Sequence, residues 1–345
     1  MYNACLVIQK VSFDHIAHVV RFVHATLTAN FGADTALYVC DEIDQADHPD
    51  NAIVFVIGEG FARHRRRRGC LYVYLNFSVV AVMGNPLRVS KEGWSAIRRK
   101  RRMLMDKLAG YDLLLDYFAP QTRVLQRHLR LPVLGFGIGV SPNVTGPAIA
   151  LADRPYNVCF VGQMTPRRLR IIEDLRRRGL RMSPHSGIAL EEVAAQSQCC
   201  INIHAHRSNH LETPRIIGAL AVGTPVVTEK CYGLQGLLPS DLVKTARLVR
   251  LAEITQDICS NLDELQAQQA LAQHWYRQTY LPQCRRNWSD ICDHVKSLTP
   301  GTALPPVLPE INRNPRPADT SVPRLLLSGR TARWVARRHC RSCHR

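Results

Sequence analysis

Residues 199 to 232 do most to limit what this chain can fold into. They read CCINIHAHRSNHLETPRIIGALAVGTPVVTEKCY. An apolar run ends in His204, and a polar loop follows. Glu212 and Arg215 then open a helix of small residues that stops at Gly223. A second apolar run, 225–227, leads through Thr228 to Glu229. This is a strand–loop–helix–strand unit with polar side chains gathered at the strand exits and the helix start. In open α/β sheets, ligands bind along that edge. A helix N-terminus is a natural anion site, and this one carries an acid and a base together.

The same alternation runs through the whole chain. Strands are expected at 4–8, 36–40, 52–57, 70–77, 112–115 and 132–136, where apolar and β-branched residues cluster. Helical spacing of Phe13, Ile16, Val19, Val20, Val23 and Leu27 predicts a helix after the first strand, with Ser12 as its cap. A basic helix is expected at 94–108 and another helix at 122–128. Glycines 135, 137 and 139 and Pro142 break the pattern, and 143–152 reads as a linker. A second series follows, with strands at 156–161 and 180–182 and helices at 165–178 and 190–196. The 199–232 unit comes next, then helical segments at 256–272 and 274–296. Two such series joined by one linker predict two Rossmann-like parallel-sheet domains facing each other across a cleft. The expected divisions are 1–145, 150–297 and a Pro- and Arg-rich tail at 298–345, which has too little apolar content to offset ordering entropy.

At 345 residues the chain has room for two cores, and 46% apolar with 21% charged residues is an ordinary globular composition. No apolar run has the length of a membrane span, and the N-terminus lacks a signal-peptide pattern, so a cytoplasmic setting is expected. The twelve cysteines sit largely in strand-like runs and are expected to be reduced, small buried hydrophobes. The net charge of +17 favours phosphorylated ligands, anionic lipid or nucleic acid. An Arg-rich composition without a specific partner explains it equally well.

Several residue sets carry the chemistry. Gly162 follows a strand and lets the backbone approach a ligand closely. Arg167 and Arg168 open the next helix just after Pro166, where cations oppose the helix dipole unless an anion is present. That mismatch points to a diphosphate. Asn202, His204 and His206 share one face at a strand exit, suiting hydrogen bonds to phosphate or sugar hydroxyls better than metal ligation. Glu212 and Arg215, three apart, share a helix face, with the acid suited to sugar hydroxyls and the guanidinium to a diphosphate. Thr228 and Glu229 end the next strand, where an acid can accept both ribose hydroxyls. His15 and His18 read as structural, Arg63–Arg68 as a solvated loop, and the CxxC at Cys340 and Cys343 as half a zinc site without a second pair.

These segments resemble a known family. NVCFVGQMTPRRLRIIEDL, CCINIH and the Glu212–Arg215 helix with ALAVGTPVVTE resemble the C-terminal domain of GT-B glycosyltransferases, in the bacterial branch that includes spore-maturation-type enzymes. LYVYLNF and YDLLLDYFAPQTRVLQRHLRLPVLGFGIGV look like that branch's N-terminal domain. The likeness spans about 1–290 and is carried chiefly by 155–232. It implies a hexosyltransferase-like enzyme that takes a sugar from a nucleotide-diphosphate donor, with no metal and no cofactor beyond that co-substrate. Donor contacts fall to Gly162, Arg167, Arg168, Asn202, His204, Thr228 and Glu229, and catalytic contacts to Glu212 and Arg215. Asn76 and Asp116 stand on the acceptor side, and Asp14, His15 and Asp116 are candidate bases by their place near strand ends. The acceptor is an unspecified glycan, lipid or protein. Peripheral contact with an anionic inner leaflet through the basic helix and tail is a further expectation. Gly218 stands where retaining members carry a second glutamate, and Phe77-Ser78 replaces the usual acid after Asn76. The alternative is a non-catalytic binder of polyanions on a transferase scaffold, with nucleic acid the less favoured partner.

Overall fold

The computed structural model describes residues 3–58, 61, 64–77, 102, 105–140, 149–185, 189–204, 212–231 and 234–300, with the backbone alone at Asp14, His15, His128 and Gln235. Arg63, His206, most of the expected basic helix at 94–108, most of the linker, the tail beyond 300 and its two cysteines lie outside the described residues.

Strands β1 (Ala4–Gln9), β2 (Ala36–Cys40), β3 (Ile53–Ile57), β4 (Leu71–Asn76), β5 (Leu113–Asp116) and β6 (Val133–Gly135) form one sheet in the order β2-β1-β3-β4-β5-β6. Every pairing in it is parallel. The strands are parallel because each is followed by a crossover. Helix α1 (Lys10–Phe31) joins β1 to β2, and α2 (Ala119–His128) joins β5 to β6. β3 and β4 are buried along their whole length, as expected for strands covered on both faces. Alternate side chains of β1 serve opposite faces: Leu6 and Ile8 join one apolar cluster, Cys5 and Val7 another.

The second sheet comprises β7 (Tyr156–Cys159), β8 (Ser197–Asn202), β9 (Val226–Glu229) and β10 (Val243–Ala246), in the order β10-β9-β8-β7 and again parallel. Its helices are α3 (Pro166–Arg177), α4 (Leu190–Ala195) and α5 (Thr213–Ala221). After the short turn α6 (Leu234–Leu237) come α7 (Leu251–Cys259) and α8 (Leu262–His274), then a π-helical stretch at Trp275–Tyr280 that runs into α9 (Leu281–Ser297). Although α9 follows the second sheet in sequence, it packs against α1. There Trp288 Nε1 donates to the Gly137 carbonyl at 2.9 Å, Asn287 accepts from Gly137 N at 3.0 Å, and Tyr280 Oη donates to the Ile138 carbonyl at 2.7 Å. One apolar cluster therefore runs unbroken from Leu6 and Phe55 on the first sheet to Ile217 and Trp288.

Some local expectations change. Helix α1 starts at Lys10, directly off β1, so Ser12 falls within its first turn and caps nothing. β10 lies outside the expected strands, because VKTA is short and half polar. Only Met182 of the expected 180–182 strand pairs, bridging to Val158. The helical segment expected at 256–272 is two helices, because Asn261 turns its side chain to accept from Glu264 N at 3.1 Å and starts α8 afresh. The described cysteines are all free thiols.

Candidate donor site at the second sheet

The site follows from the order of connections. From β7 the chain passes through α3 to the Met182 bridge on one side of β7, then through α4 to β8 on the other side. The C-terminal ends of β7 and β8 thus part at a topological switch point, where open α/β sheets bind ligands. Residues 160–168 leave one strand there, and 202–204 leave the other. The N-terminus of α5 closes the crevice from above.

Three arginines converge on it. Arg168 is 4% exposed and donates through Nε to the Ile203 carbonyl at 2.9 Å and through Nη1 to the Gln163 carbonyl at 2.8 Å. Its Nη2 meets Glu212 Oε1 and Oε2 at 3.2 and 3.3 Å. Arg215 donates through Nε to the Val161 carbonyl at 2.8 Å and through Nη1 to both Asn202 Oδ1 and Glu212 Oε2. Arg167 forms a two-pronged pair with Glu229, with Nη1 2.8 Å from Oε2, and also donates to the His204 carbonyl at 3.1 Å. The anion demanded by arginines at the start of α3 is thus partly internal. Glu229 arrives from the end of β9 and Glu212 from the N-cap position of α5.

Gly162 makes this convergence sterically allowed. Its φ is +143°, and a Cβ there would lie 2.9 Å from Arg215 Nη2 and 3.5 Å from Arg168 Nη1. Asn202 and Thr228 are register partners on β8 and β9, and Asn202 Nδ2 donates to Thr228 Oγ1 at 2.9 Å. That bond turns the Asn202 carbonyl oxygen toward Arg215. His204 is fully buried, and neither ring nitrogen has a hydrogen-bond partner among the described residues; Nδ1 stands 3.8 Å from Glu212 Oε1.

Charge sets the protonation states. Burial alone would raise the Glu212 carboxyl, but Arg215, with His204 and Arg168, holds it well below the ordinary carboxylate range. Burial, then Arg215 alongside, lowers the Arg168 guanidinium to about 10, against the pull of Glu212. Three guanidiniums facing two carboxylates leave the crevice net positive by one charge. The side chain of Glu212 makes no capping bond to α5, and the N-terminus of a helix favours an anion through its dipole. Among the described residues, no three His, Cys, Asp or Glu side chains gather as a metal site would need.

Asn76 and Asp116 lie apart from this crevice, as register partners at the ends of β4 and β5 in the first sheet. Both are 1% exposed. Asp116 accepts from Asn76 Nδ2 at 2.7 Å, Gln121 Nε2 at 2.6 Å, Phe118 N at 2.9 Å and Thr122 Oγ1 at 3.3 Å. Burial raises its carboxyl to about 6, although those four donors oppose the shift.

Two features escaped the sequence. The Phe160 ring, at the end of β7, stands 5.0 Å from both the Arg168 and the Arg215 guanidinium carbons. Nothing distinguishes Phe160 from any strand phenylalanine until α3 and α5 are placed. The second feature is a titratable cluster between the sheets, with His18 and Glu191 buried and Arg21 half exposed. His18 of α1 has Nδ1 3.9 Å from Glu191 Oε2 on α4, and Arg21 Nη1 is 3.6 Å from Glu191 Oε1.

No family model matches the chain, and no curated protein matches it significantly in sequence. Solved structures do match. The sucrose-phosphate synthase of Thermosynechococcus elongatus aligns at a TM-score of 0.56 and 12% identity, covering 85% of this chain and 99% of that one. Anabaena HepE in complex with UDP and glucose aligns at 0.55 and 12%, covering 86% and 100%. WaaG, a glycosyltransferase involved in lipopolysaccharide biosynthesis, aligns at 0.52 and 11%, covering 84% and 99%. The fold is that of the GT-B glycosyltransferases. At such identities the likeness establishes architecture, and the chemistry has to be argued from the crevice itself.

Proposed function

We propose that this GT-B protein transfers a sugar from a nucleoside-diphosphate donor to an acceptor hydroxyl or comparable nucleophile. The observation that carries the proposal is the pair Arg168 and Arg215, at the starts of α3 and α5 and bridged by Glu212, at the β7/β8 switch point. In the proposed reaction the bond from sugar C1 to the β-phosphate oxygen breaks, and its electron pair goes to the diphosphate. The acceptor oxygen bonds to C1 and gives its proton to a base. Arg167, Arg168, Arg215 and the α5 N-terminus stabilise the charge that grows on the leaving group, being already oriented for it. In this reading guanidiniums supply the countercharge that a metal ion supplies elsewhere.

The other residues take supporting roles. Glu212 exchanges arginine contacts for sugar hydroxyls when the donor enters. Glu229 contacts the ribose, and Asn202, Thr228 and His204 support Arg215 and the phosphates. Gly162 admits the phosphates against the backbone. On the opposite sheet Asn76 and Asp116 shape the acceptor side, with Asp116 bonded to the first turn of α2. The 155–232 likeness favours the spore-maturation-type branch. The complexes of HepE with UDP and UDP-glucose make uridine donors the first to try.

The test is calorimetric titration with UDP, GDP and ADP, followed by assay of nucleoside diphosphate released from the matching donor sugars. The proposal expects saturable binding of at least one nucleotide, weakened at least tenfold by Arg215→Ala, and release of the same diphosphate. Absence of both binding and release with every donor would overturn it.

A further inference from the structure

The two guanidiniums share more than Glu212. Both lie over Phe160, each guanidinium carbon 5.0 Å from the ring centroid, and the ring itself is 1% exposed. A cation at that range is attracted by the negative face of the ring, most strongly where water is excluded. The arrangement matters at one moment in particular. If a diphosphate displaces the Glu212 carboxylate, two like charges are left side by side until the phosphates close on them. Their Nη atoms are near neighbours, both converging on the position a Cβ of Gly162 would take. Burial, and after it Arg215 through this proximity, already depresses the Arg168 guanidinium. What holds them through the exchange is the carbonyls of Ile203, Gln163 and Val161 and the Asn202 amide oxygen, together with the ring. The carbonyls fix Nε of both arginines and one Nη of Arg168. The Phe160 ring, 5.0 Å from both guanidinium carbons, is a surface the two arginines share.

From this geometry we infer that Phe160 is a positioning residue of the donor site, a platform that keeps Arg168 and Arg215 spaced for a diphosphate. It touches neither sugar nor phosphate and acts through the two arginines. The inference rests on the donor reading above and goes beyond it, because a buried strand phenylalanine would otherwise be packing alone.

A fluorination series separates the two roles. Replacing Phe160 with mono-, di- and trifluorophenylalanine keeps the ring's shape nearly constant while draining its negative face. UDP and uridine are titrated into the full chain at several salt concentrations, with thermal melts alongside. If the ring is a cation platform, UDP affinity falls stepwise along the series, about tenfold in total. Uridine affinity and the melting temperature stay level, and Phe160→Leu loses as much UDP affinity as the trifluoro variant or more. UDP affinity that stays flat across the series, or that falls only together with uridine affinity or the melting temperature, would make Phe160 a packing residue and overturn the inference. Failure of the unmodified protein to bind UDP, GDP or ADP at all would instead remove the donor reading itself, and the inference with it.

Discussion

Glu212 reaches Arg168 with both carboxylate oxygens, at 3.2 and 3.3 Å, although one residue stands at the N-cap position of α5 and the other lies in the first turn of α3. The pair ties together two helix starts that the chain brings in from different strands. It also places a negative charge where the proposed donor needs its own.

Replacing Glu212 with Gln should therefore split binding from turnover. The neutral amide no longer competes for Arg168 and Arg215, so UDP binds about tenfold tighter, the equivalent of ~1.4 kcal/mol. Turnover of a donor sugar falls about a hundredfold, the usual scale for losing one transition-state contact. Calorimetry and diphosphate release measure the two separately. Weaker UDP binding by the variant would show that Glu212 supports the phosphates and does not compete with them. The pH profile follows from the depressed carboxyl. Its stabilisation is complete above the unfolded-state value of 4.5 and is lost as pH falls below it, a loss the Gln variant should not share.

Much of this arrangement is legible in the sequence, because local rules govern it. The apolar runs of β3, β4 and β8, the Pro166 and Pro214 helix starts and Gly162 each announce their element through a short-range pattern. Gathering of the 162–168, 202–204 and 212–229 residues follows once successive strands are taken as parallel. What stays hidden depends on distance in the chain. That Arg167 would pair with Glu229, 62 residues on, cannot be read from either neighbourhood. Phe160 and His18 are likewise ordinary residues until helices from elsewhere settle against them. β10 is hidden for a different reason: four half-polar residues gain their strand character only from pairing with β9.

Asp116 should leave its own mark on the pH dependence of stability. Its carboxyl is raised to about 6 by burial, from an ordinary 3.8. The folded protein then holds a proton that the unfolded chain has released between those two values. Stability contributed by this site is greatest below pH 3.8 and declines as pH rises through 6, by about 3 kcal/mol in all. Urea unfolding between pH 3.5 and 7 measures this as the difference between the wild type and Asp116→Asn. The variant removes the titration, and Asn76 and Gln121, which both donate to Oδ2, must turn an amide oxygen to meet the new NH₂ group. Parallel pH curves for the two proteins would mean that folding leaves the Asp116 carboxyl unshifted.

His18 works in the opposite direction over an overlapping window. Burial, with Arg21 and Arg215 adding to it and the Pro214 carbonyl opposing, lowers the imidazole to about 4 from 6.5. Here the unfolded chain holds the extra proton, so stability is lost as pH falls from 6.5 toward 4, again by about 3 kcal/mol. Glu191, 3.9 Å away, has its carboxyl raised by burial and so offsets part of that loss. His18→Gln should flatten the acid limb, while Glu191→Gln should steepen it. The same urea series decides the point. An unchanged acid limb in His18→Gln would show that the imidazole charges without cost, through water or through Glu191.

Gly218 offers the sharpest test of how far the family pattern transfers to this chain. A second glutamate there would have to rise from a position where an added Cβ meets Leu190 Cδ2 at 2.7 Å and His18 Nε2 at 3.6 Å. The first obstacle is the tip of a flexible side chain. Gly218→Ala should therefore fold normally, since the repacking of Leu190 is offset by the ~1 kcal/mol that alanine gains over glycine inside a helix. Gly218→Glu is different, because its carboxylate would be buried against leucine with only a neutral imidazole beside it. It should destabilise the fold by about 3 kcal/mol or more and leave the transfer rate no higher. Adding Leu190→Ala makes room, and His18 can then charge against the new acid, so the double variant should recover part of the loss and melt higher at pH 6 than at pH 8. Thermal melts and diphosphate release decide it. A Gly218→Glu protein as stable as the wild type and faster in transfer would mean that the space beside His18 belongs to the donor.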